Sequence, residues 1–232
     1  MLLYIVRHGD PDYTNDCLTP LGKRQAEAVS RRLSRSMIDR VYTSSMGRAI
    51  ETATPTCELL KKEYTVLDWA KEIPANTLFP DGKEKNLAYL SNIYTRNAKN
   101  MDLDYYHSLE ADGFKESNIE SGYNRVIEGA KEFLKELGYE EEDGIFKIVN
   151  PNNERIALFC HGNMARTLAS YLLHIPVHIM WSSFGYPHTG VTVINFANSD
   201  TGLTAPRCLC YADLSHIYAD DQALKYNNKT YI

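Results

Sequence analysis

Two short apolar segments, far apart in the chain, each lead into a His-Gly pair. The segments are residues 2–6 and 156–160, and the pairs are His8-Gly9 and His161-Gly162. An apolar run of this length is typical of a central strand in a parallel sheet, because such a strand is covered on both faces. The carboxyl ends of parallel strands lie along one edge of the sheet, and ligands bind there. The sequence therefore predicts that two distant histidines meet in one pocket.

The residue types at these strand ends suit the binding of an anion. Histidine can act as a nucleophile or transfer a proton near neutral pH. Arg7, directly before His8, offers a guanidinium that binds phosphate through two hydrogen bonds. His161 stands where a strand gives way to a predicted helix, whose N-terminus adds main-chain N–H donors. We therefore expect Arg7, His8 and His161 to surround one bound anion.

Composition narrows the class of protein. The 232 residues are 44% hydrophobic and 24% charged, which is ordinary for a globular chain. The net charge of −5 argues against a general nucleic-acid binder. The first apolar stretch is too short for a signal peptide, and no segment has the length of a membrane span. Five cysteines without regular spacing indicate reduced thiols. We expect a cytoplasmic protein without nucleic-acid or membrane partners, and nothing in the sequence indicates its oligomeric state.

The remaining pattern predicts a three-layer α/β/α sandwich with a mostly parallel central sheet. Thr19-Pro20 is typical of a helix start, with Thr19 as the N-cap. Further strands are predicted at 41–43 and 64–67, and an amphipathic helix at 121–137. Residues 145–149 and 155–160 are predicted to form one hairpin, and 190–196 with 206–211 a second one.

Residues 73–120 differ in composition from the rest and are interpreted as an inserted cap in a single domain of residues 1–232. The stretch is rich in Asn and Asp and has a Pro80–Gly82 turn. Aromatic residues cluster in or beside it: Trp69, Phe79, Tyr89, Tyr94, Tyr105, Tyr106 and Phe114. We expect this cap to cover the pocket; the alternative is a folded decoration remote from the site.

Four sequence blocks carry a resemblance to a known family. They are Arg7-His8-Gly9, Leu18-Thr19-Pro20-Leu21-Gly22 with Gln25-Ala26, Tyr42-Thr43-Ser44-Ser45 leading to Arg48 and Glu51-Thr52-Ala53, and His161-Gly162. In this order and at this spacing the chain resembles the histidine phosphatase superfamily, also called the phosphoglycerate mutase-like family.

The resemblance implies roles for the catalytic residues. His8 would be the nucleophile and form a phosphohistidine, with a main-chain carbonyl fixing its tautomer. Arg7 and Arg48 would clamp the phosphoryl oxygens, and His161 would stabilise them. Glu72 occupies the place of the family's proton donor.

Further residues are alternatives for the acid, expected substrate contacts or histidines outside the motifs. Asp68 and Asp81 are alternatives to Glu72 as the acid. Substrate contacts are expected from Gly9, Asn15, Gly162 and Asn163, whereas Arg166 is expected on the surface. The other histidines are expected to be structural or exposed, although His107 or His188 could line the pocket mouth; these five are His107, His174, His178, His188 and His216.

The expected activity is hydrolysis of a small phosphomonoester without a metal or other cofactor. The histidines lack metal-ligand spacing. One alternative is a phosphoglycerate mutase, but Asp10 stands where the family commonly has Glu, and residues 10–17 lack the mutases' Trp-Asn pair. Residues 73–120 hold five Lys and Arg against eight Asp and Glu, a balance that also favours a hydrolase. The other alternative is a non-catalytic module that binds phosphorylated ligands.

Overall fold

The computed structural model describes residues 1–78, 84–87 and 96–222. The strands are β1 (Leu2–Arg7), β2 (Pro11–Asp12), β3 (Cys17–Leu18), β4 (Arg40–Ser44), β5 (Tyr64–Leu67), β6 (Asn76–Leu78), β7 (Glu84–Asn86), β8 (Tyr139–Glu142), β9 (Ile145–Ile148), β10 (Arg155–Cys160), β11 (Val191–Asn195), β12 (Leu203–Thr204) and β13 (Arg207–Asp213). The α-helices are α1 (Pro20–Arg35), α2 (Gly47–Leu60), α3 (Ala98–Met101), α4 (Ile119–Glu136), α5 (Gly162–Leu173), α6 (Val177–Ser183) and α7 (Ser215–Ala219).

Six strands form the central sheet in the order β13-β11-β1-β10-β4-β5. The pairs β1–β10, β10–β4 and β4–β5 are parallel. Strand β11 runs antiparallel to both β1 and β13. The mostly parallel sheet is therefore confirmed. Because β11 runs against β1, its first residues lie at the same edge of the sheet as the carboxyl ends of the parallel strands.

Helices cover both faces of this sheet. Alternate residues of β1 divide between two apolar clusters, because successive side chains of a strand point to opposite faces. Leu3 and Ile5 belong to the cluster that contains buried residues of α4 and α5. Tyr4 and Val6 belong to a second cluster with buried residues of α1 and α2. This arrangement is the predicted three-layer sandwich.

Helix α1 begins as its sequence predicts and packs closely under the end of β1. The Thr19 hydroxyl accepts a hydrogen bond from the Gly22 N–H, and Pro20 is the first helical residue. A Cβ at Gly22 would lie 2.2 Å from the main-chain oxygen of Asp10, and one at Gly9 would lie 2.7 Å from that of Gly22. The two glycines therefore let α1 approach the turn that carries His8.

The predicted pairing of 145–149 with 155–160 is wrong. Strand β9 pairs antiparallel with β8 and β12, whereas β10 lies between β1 and β4 in the central sheet. The burial of the two strands explains the difference. In β9, Phe146 is buried while Ile145 and Lys147 are exposed, so one face meets water. Strand β10 is buried almost throughout and needs cover on both faces. The other predicted hairpin, β11 with β13, is confirmed.

The described part of residues 73–120 joins the main core. Ala75, Leu87, Ala111 and Phe114 are buried in the cluster that includes α4 and α5. The Phe114 ring meets Trp181 of α6 edge-on, with centroids 5.5 Å apart. Of the predicted features, Phe79, Tyr89, Tyr94, Asp81 and the Pro80–Gly82 turn lie outside the described residues. That this region is a cap over the pocket stays a prediction.

Helices of the described chain are all too short or too polar to span a bilayer. All five cysteines are free thiols, and Cys57 and Cys160 are buried.

Candidate active site

The pairing of β1 with β10 brings His8 and His161 together. Arg7 is in register with Cys160, so each histidine directly follows a paired residue at the same edge of the sheet. The His8 N–H donates to the Cys160 carbonyl at 2.9 Å. The two imidazole centroids are 5.1 Å apart, with the rings tilted by 56°. The predicted convergence of two distant His-Gly pairs is therefore present in the structure.

The His8 ring is held in one orientation by its own turn. Its Nδ1 lies 2.7 Å from the Gly9 carbonyl oxygen, and the residue is only 1% exposed. Burial lowers the pKa of His8 well below the usual range, and the charges of Arg7, His161 and Arg48 act in the same direction. A neutral ring whose Nδ1–H donates to a carbonyl carries its lone pair on Nε2. The free lone pair of His8 is thus on Nε2.

The Nε2 of His161 lies 2.8 Å from the Ser44 hydroxyl at the end of β4. That hydroxyl oxygen accepts the Met46 N–H at 3.3 Å and keeps a proton that it can donate to His161. The Nδ1 of His161 is buried and has no hydrogen-bond partner in the described part of the chain. Burial, with Arg48 and Arg7, lowers its pKa well below the usual range. In the neutral tautomer whose Nε2 accepts the Ser44 proton, His161 offers an Nδ1–H to an anion.

Two arginines lie within electrostatic reach of both histidines, since Arg7 and Arg48 each lower both histidine pKa values. The Arg7 side chain donates through Nη1 to the Tyr186 carbonyl, and its Nε is buried and has no partner among the described residues. A Cβ at Gly162 would lie 3.3 Å from that Nε, so glycine leaves room for the guanidinium.

Arg48 is buried at the start of α2 and is held by an acidic residue that the sequence analysis did not single out. Its Nη1 forms an ion pair with Asp16, whose other carboxylate oxygen accepts the Gly47 N–H at 2.7 Å. The Tyr13 ring lies 5.4 Å from the Arg48 guanidinium carbon. The loop between β2 and β3 thus holds the Arg48 side chain in place.

Glu72 lies beside His161 at the N-terminus of α5. Its carboxylate accepts the N–H groups of Met164 at 3.0 Å, Asn163 at 3.3 Å and Ile73 at 3.0 Å. A carboxylate is favoured there by the helix dipole. The alternative acid, Asp68, has a side chain that is 73% exposed and is ion-paired with Lys71.

The predicted substrate-contact residues have different surroundings in the structure. Asn163 is buried near His161, but its amide donates to the Ile73 carbonyl at 3.2 Å and its oxygen accepts from Arg166. Arg166 was expected on the surface, and that expectation is wrong. Its guanidinium is buried because it donates to Asn163 and to the carbonyls of Gly162 and Trp181. It therefore supports the His161 turn.

Asn15 lies away from the histidines in the described structure. It is exposed, and its amide donates to Asp12 at 2.8 Å within a local turn. The loop from Asp10 to Cys17 is short, so its register with longer family members was ambiguous from the sequence. The hydrogen bonds place Asn15 in the surface turn and Asp16 on Arg48.

A third histidine lies against His8. The His188 ring centroid is 5.5 Å from that of His8, and its Nδ1 lies 3.5 Å from Asp10 Oδ1. Burial lowers the pKa of His188 to about 4, with Arg7 acting in the same direction and Asp10 opposing. The signal that could have found it is its position, three residues before β11, the antiparallel neighbour of β1.

The residue after His188 is strained. Thr189 has φ of 55°, a conformation that costs a β-branched residue about 1–3 kcal/mol. Its N–H donates to the His8 carbonyl at 3.2 Å, and its hydroxyl lies 3.1 Å from His216 Nε2. These bonds hold the turn against β1.

The other histidines do not enter this cluster. His107 is exposed and bonded to Asp104, as expected for a surface residue. His178 is fully buried and packs near Phe114. His174 ends α5 and packs on Tyr105. Among the residues that the structure describes, no group of three or more His, Cys, Asp and Glu side chains could hold a metal ion.

Similar proteins agree with this geometry. The model of the histidine phosphatase superfamily (branch 1) matches residues 3–85, a range that includes His8, Arg48 and Glu72. The serine/threonine-protein phosphatase Pgam5, mitochondrial, of Caenorhabditis elegans is 27% identical over 180 residues, which cover 75% of this chain and 51% of that protein. The chain thus spans about half the length of this curated relative.

Solved structures share the fold over almost the whole chain. Phosphoserine phosphatase from Entamoeba histolytica, in complex with 3-phosphoglyceric acid, aligns with a TM-score of 0.62 at 22% identity, covering 93% of this chain and 98% of that one. The mycobacterial glucosyl-3-phosphoglycerate phosphatase aligns with a TM-score of 0.59 at 20% identity, covering 91% and 98%. The sheet topology agrees with that of these structures, and the match over residues 3–85, with the order of the motifs, makes the chain similar to the histidine phosphatase superfamily.

Proposed function

We propose that this protein is a metal-independent phosphomonoester hydrolase that works through a phosphohistidine on His8. The observation that carries the proposal is the fixed His8 ring, with Nδ1 on the Gly9 carbonyl. This contact leaves the Nε2 lone pair beside His161 and within reach of the charges of Arg7 and Arg48. A neutral imidazole surrounded by fixed cationic and N–H donors is suited to attack a phosphate ester.

In the first step, the Nε2 lone pair of His8 forms a bond to phosphorus while the bond from phosphorus to the ester oxygen breaks. Charge develops on the equatorial oxygens, where Arg7, Arg48 and the Nδ1–H of His161 stabilise it. Glu72 sits next to His161 at the start of α5 and is the proposed donor of the proton that the leaving oxygen takes up; it acts in its carboxylic acid form, becomes the carboxylate in this step and is protonated again in the second step.

In the second step, water attacks the phosphorus of the phosphohistidine. One proton of that water passes to the carboxylate of Glu72, and the P–N electron pair returns to His8 Nε2. Inorganic phosphate leaves, and both residues regain their starting protonation states. Arg7 and Arg48 serve the two steps alike, because each step transfers the same phosphoryl group.

Two similar solved structures support a phosphate-bearing, small-molecule substrate. One similar structure is a phosphoserine phosphatase in complex with 3-phosphoglyceric acid, and another is a mycobacterial phosphatase with inorganic phosphate. We therefore propose a small phosphomonoester as the substrate of this chain. A cytoplasmic location is proposed from its free thiols, although the C. elegans relative is named as mitochondrial.

Turnover of an activated aryl phosphate such as 4-nitrophenyl phosphate tests the proposal. We expect release of phosphate that is unchanged by a metal chelator and strongly inhibited by vanadate. Loss of the rate in chelator, with recovery on adding a divalent ion, would refute the metal-free mechanism. Binding without release of phosphate would instead identify a phospho-ligand binding module. Conversion of 3-phosphoglycerate in the presence of a trace of bisphosphate would identify a mutase.

A further inference from the structure

His188 lies against His8, as His161 does, but it comes from a different part of the fold. It arrives from the turn before β11 rather than from the end of a parallel strand. Its ring lies 5.5 Å from that of His8, tilted by only 35°. The side chain is 14% exposed. A ring this close to the nucleophile lies in the wall of the pocket that a bound phosphoryl group would occupy.

Asp10 and the Thr189 turn fix the position of this ring. Asp10 Oδ1 lies 3.5 Å from His188 Nδ1, while Asp10 Oδ2 accepts the Thr19 hydroxyl at 2.6 Å. The Asp10 N–H donates to Gln25 at 2.8 Å, so both the main chain and the side chain of Asp10 are held. The strained Thr189 is bonded to the His8 carbonyl. A left-handed, β-branched residue persists only where its surroundings impose it, and such residues cluster at functional sites.

The remaining nitrogen of His188 has no partner. With Nδ1 directed to Asp10, the free atom is Nε2, which is buried and makes no hydrogen bond within residues 1–78, 84–87 and 96–222. A buried polar nitrogen left unpaired carries a desolvation cost that a ligand can remove. The same holds for Nδ1 of His161, the other imidazole beside His8. Both rings that adjoin the proposed nucleophile therefore carry an unpaired nitrogen.

We propose that His188 is a third imidazole of the phosphate pocket, whose Nε2 contacts the bound phosphoryl group and takes up a proton when that group binds. The proposal rests on the proposed function, because it needs a phosphoryl group at His8. The proton comes from solvent, and it converts Nε2 from a lone-pair acceptor into an N–H donor to a phosphoryl oxygen.

The charges that face His188 explain why the proton arrives with the ligand. In the free pocket Arg7 opposes a second positive charge, and burial acts with it to lower the pKa of His188 to about 4. Asp10 favours the charged form, and His8 and His161 are neutral neighbours. His216 reaches the same turn from α7 through the Thr189 hydroxyl. An incoming dianion outweighs the repulsion of Arg7 and raises the pKa of His188.

Sulfate binding as a function of pH tests the proposal, because sulfate stays a dianion between pH 5 and 8. We expect the affinity of the wild type to rise as the pH falls, by up to tenfold per pH unit for each proton taken up. His188→Gln keeps an N–H donor near the position of Nε2 but does not titrate. The pH dependence of sulfate affinity in this variant should correspond to uptake of about one proton fewer than in the wild type. His107→Gln, at an exposed histidine, should leave the linkage unchanged.

NMR of histidine labelled with 13C gives a readout that needs no folded variant. In the wild type at pH 6.5, sulfate should shift the His188 ring carbons toward imidazolium values. An unchanged His188 ring in saturated protein, or equal linkage in the wild type and His188→Gln, would overturn the proposal.

Aryl phosphate turnover, measured in parallel, separates this proposal from the proposed function. If His8→Ala removes turnover while His188→Gln leaves the pH dependence of sulfate binding unchanged, the role of His188 alone is overturned. Absence of both turnover and sulfate binding in the folded wild type would overturn both.

Discussion

Two imidazoles adjoin His8, and the chain brings them there in different ways. His161 follows a buried parallel strand, is 5.1 Å from His8, and is held by Ser44 and the start of α5. His188 precedes an antiparallel strand, is 5.5 Å from His8, and is held by Asp10 and a strained turn. One flank is built from regular secondary structure, and the other depends on a local backbone outlier. Equivalent positions in a pocket can thus have quite different sequence signatures.

Substitution of His8 should have the largest effect on turnover, because it removes the proposed nucleophile that His161 and His188 adjoin. We expect His8→Ala to lower turnover by about 10⁴-fold or more, as is usual when a nucleophile is lost. Steady-state rates on an aryl phosphate measure this. His107→Ala, at an exposed histidine, is the matched control and should retain the wild-type rate. More than a trace of activity in a folded His8→Ala protein would contradict the assignment.

Glu72→Gln probes the His161 flank. If Glu72 protonates the leaving oxygen, turnover of an alkyl phosphate should fall by about 10²–10⁴-fold. An aryl phosphate, whose leaving group needs little proton donation, should lose much less in its phosphorylation step. The comparison requires that phosphoryl transfer to His8 limits the rate, which single-turnover measurements check. Equal losses for both substrates would move the acid role away from Glu72, for example to Asp68.

The His188 flank should make stability depend on pH. The pKa values of His188 and His216 are lowered to about 4, chiefly by burial, whereas unfolded histidine titrates near 6.5. Between these values the unfolded state binds more protons, so the free energy of unfolding decreases as the pH falls. The full loss is roughly 3 kcal/mol for each histidine.

Urea unfolding at pH 7.5, 6.5 and 5 measures this dependence. In this range most carboxylates keep their charge, so the histidines dominate. His216→Gln should flatten the curve. His107→Gln should not flatten it, because Asp104 raises the pKa of His107 and gives that residue the opposite sign. A free energy of unfolding that stays constant down to pH 5 would contradict the buried, neutral state of His188 and His216.

Two substitutions at Thr189 should have the smallest effect. Alanine removes the hydroxyl and keeps the strain, whereas glycine removes both. Thr189→Gly should therefore unfold with a free energy about 1 kcal/mol higher than Thr189→Ala. Both variants lack the hydroxyl contact to His216, so the difference between their free energies of unfolding reports the backbone strain at residue 189. Thermal unfolding measures it, and an equal stability would show that the turn is not strained.

The His161 flank was predictable from the sequence because its signals are local. An all-apolar run identifies a central strand, and the residue after it must lie at the ligand-binding edge. The same reasoning placed Arg7 and His8, and the Thr19 cap placed α1. Those signals need no knowledge of which strands are neighbours.

The sequence named His188 only as one of two histidines that could line the pocket mouth, because its place depends on strand order. Only the antiparallel pairing of β11 with β1 brings the turn before β11 to His8. The wrong pairing of 145–149 with 155–160 has the same cause, since proximity in sequence does not decide sheet neighbours. The burial of Arg166 also depends on tertiary contacts, here with Asn163 and the carbonyl of Trp181.

The most direct test of the account is isolation of the phosphorylated protein. Wild-type protein is mixed rapidly with substrate, quenched in alkali and digested, and its peptides are analysed by mass spectrometry. The account predicts one phosphorylated peptide that contains His8, stable in alkali, lost in mild acid and absent from His8→Ala. A phosphoryl group on a serine or threonine, or turnover without any phosphorylated protein, would contradict it.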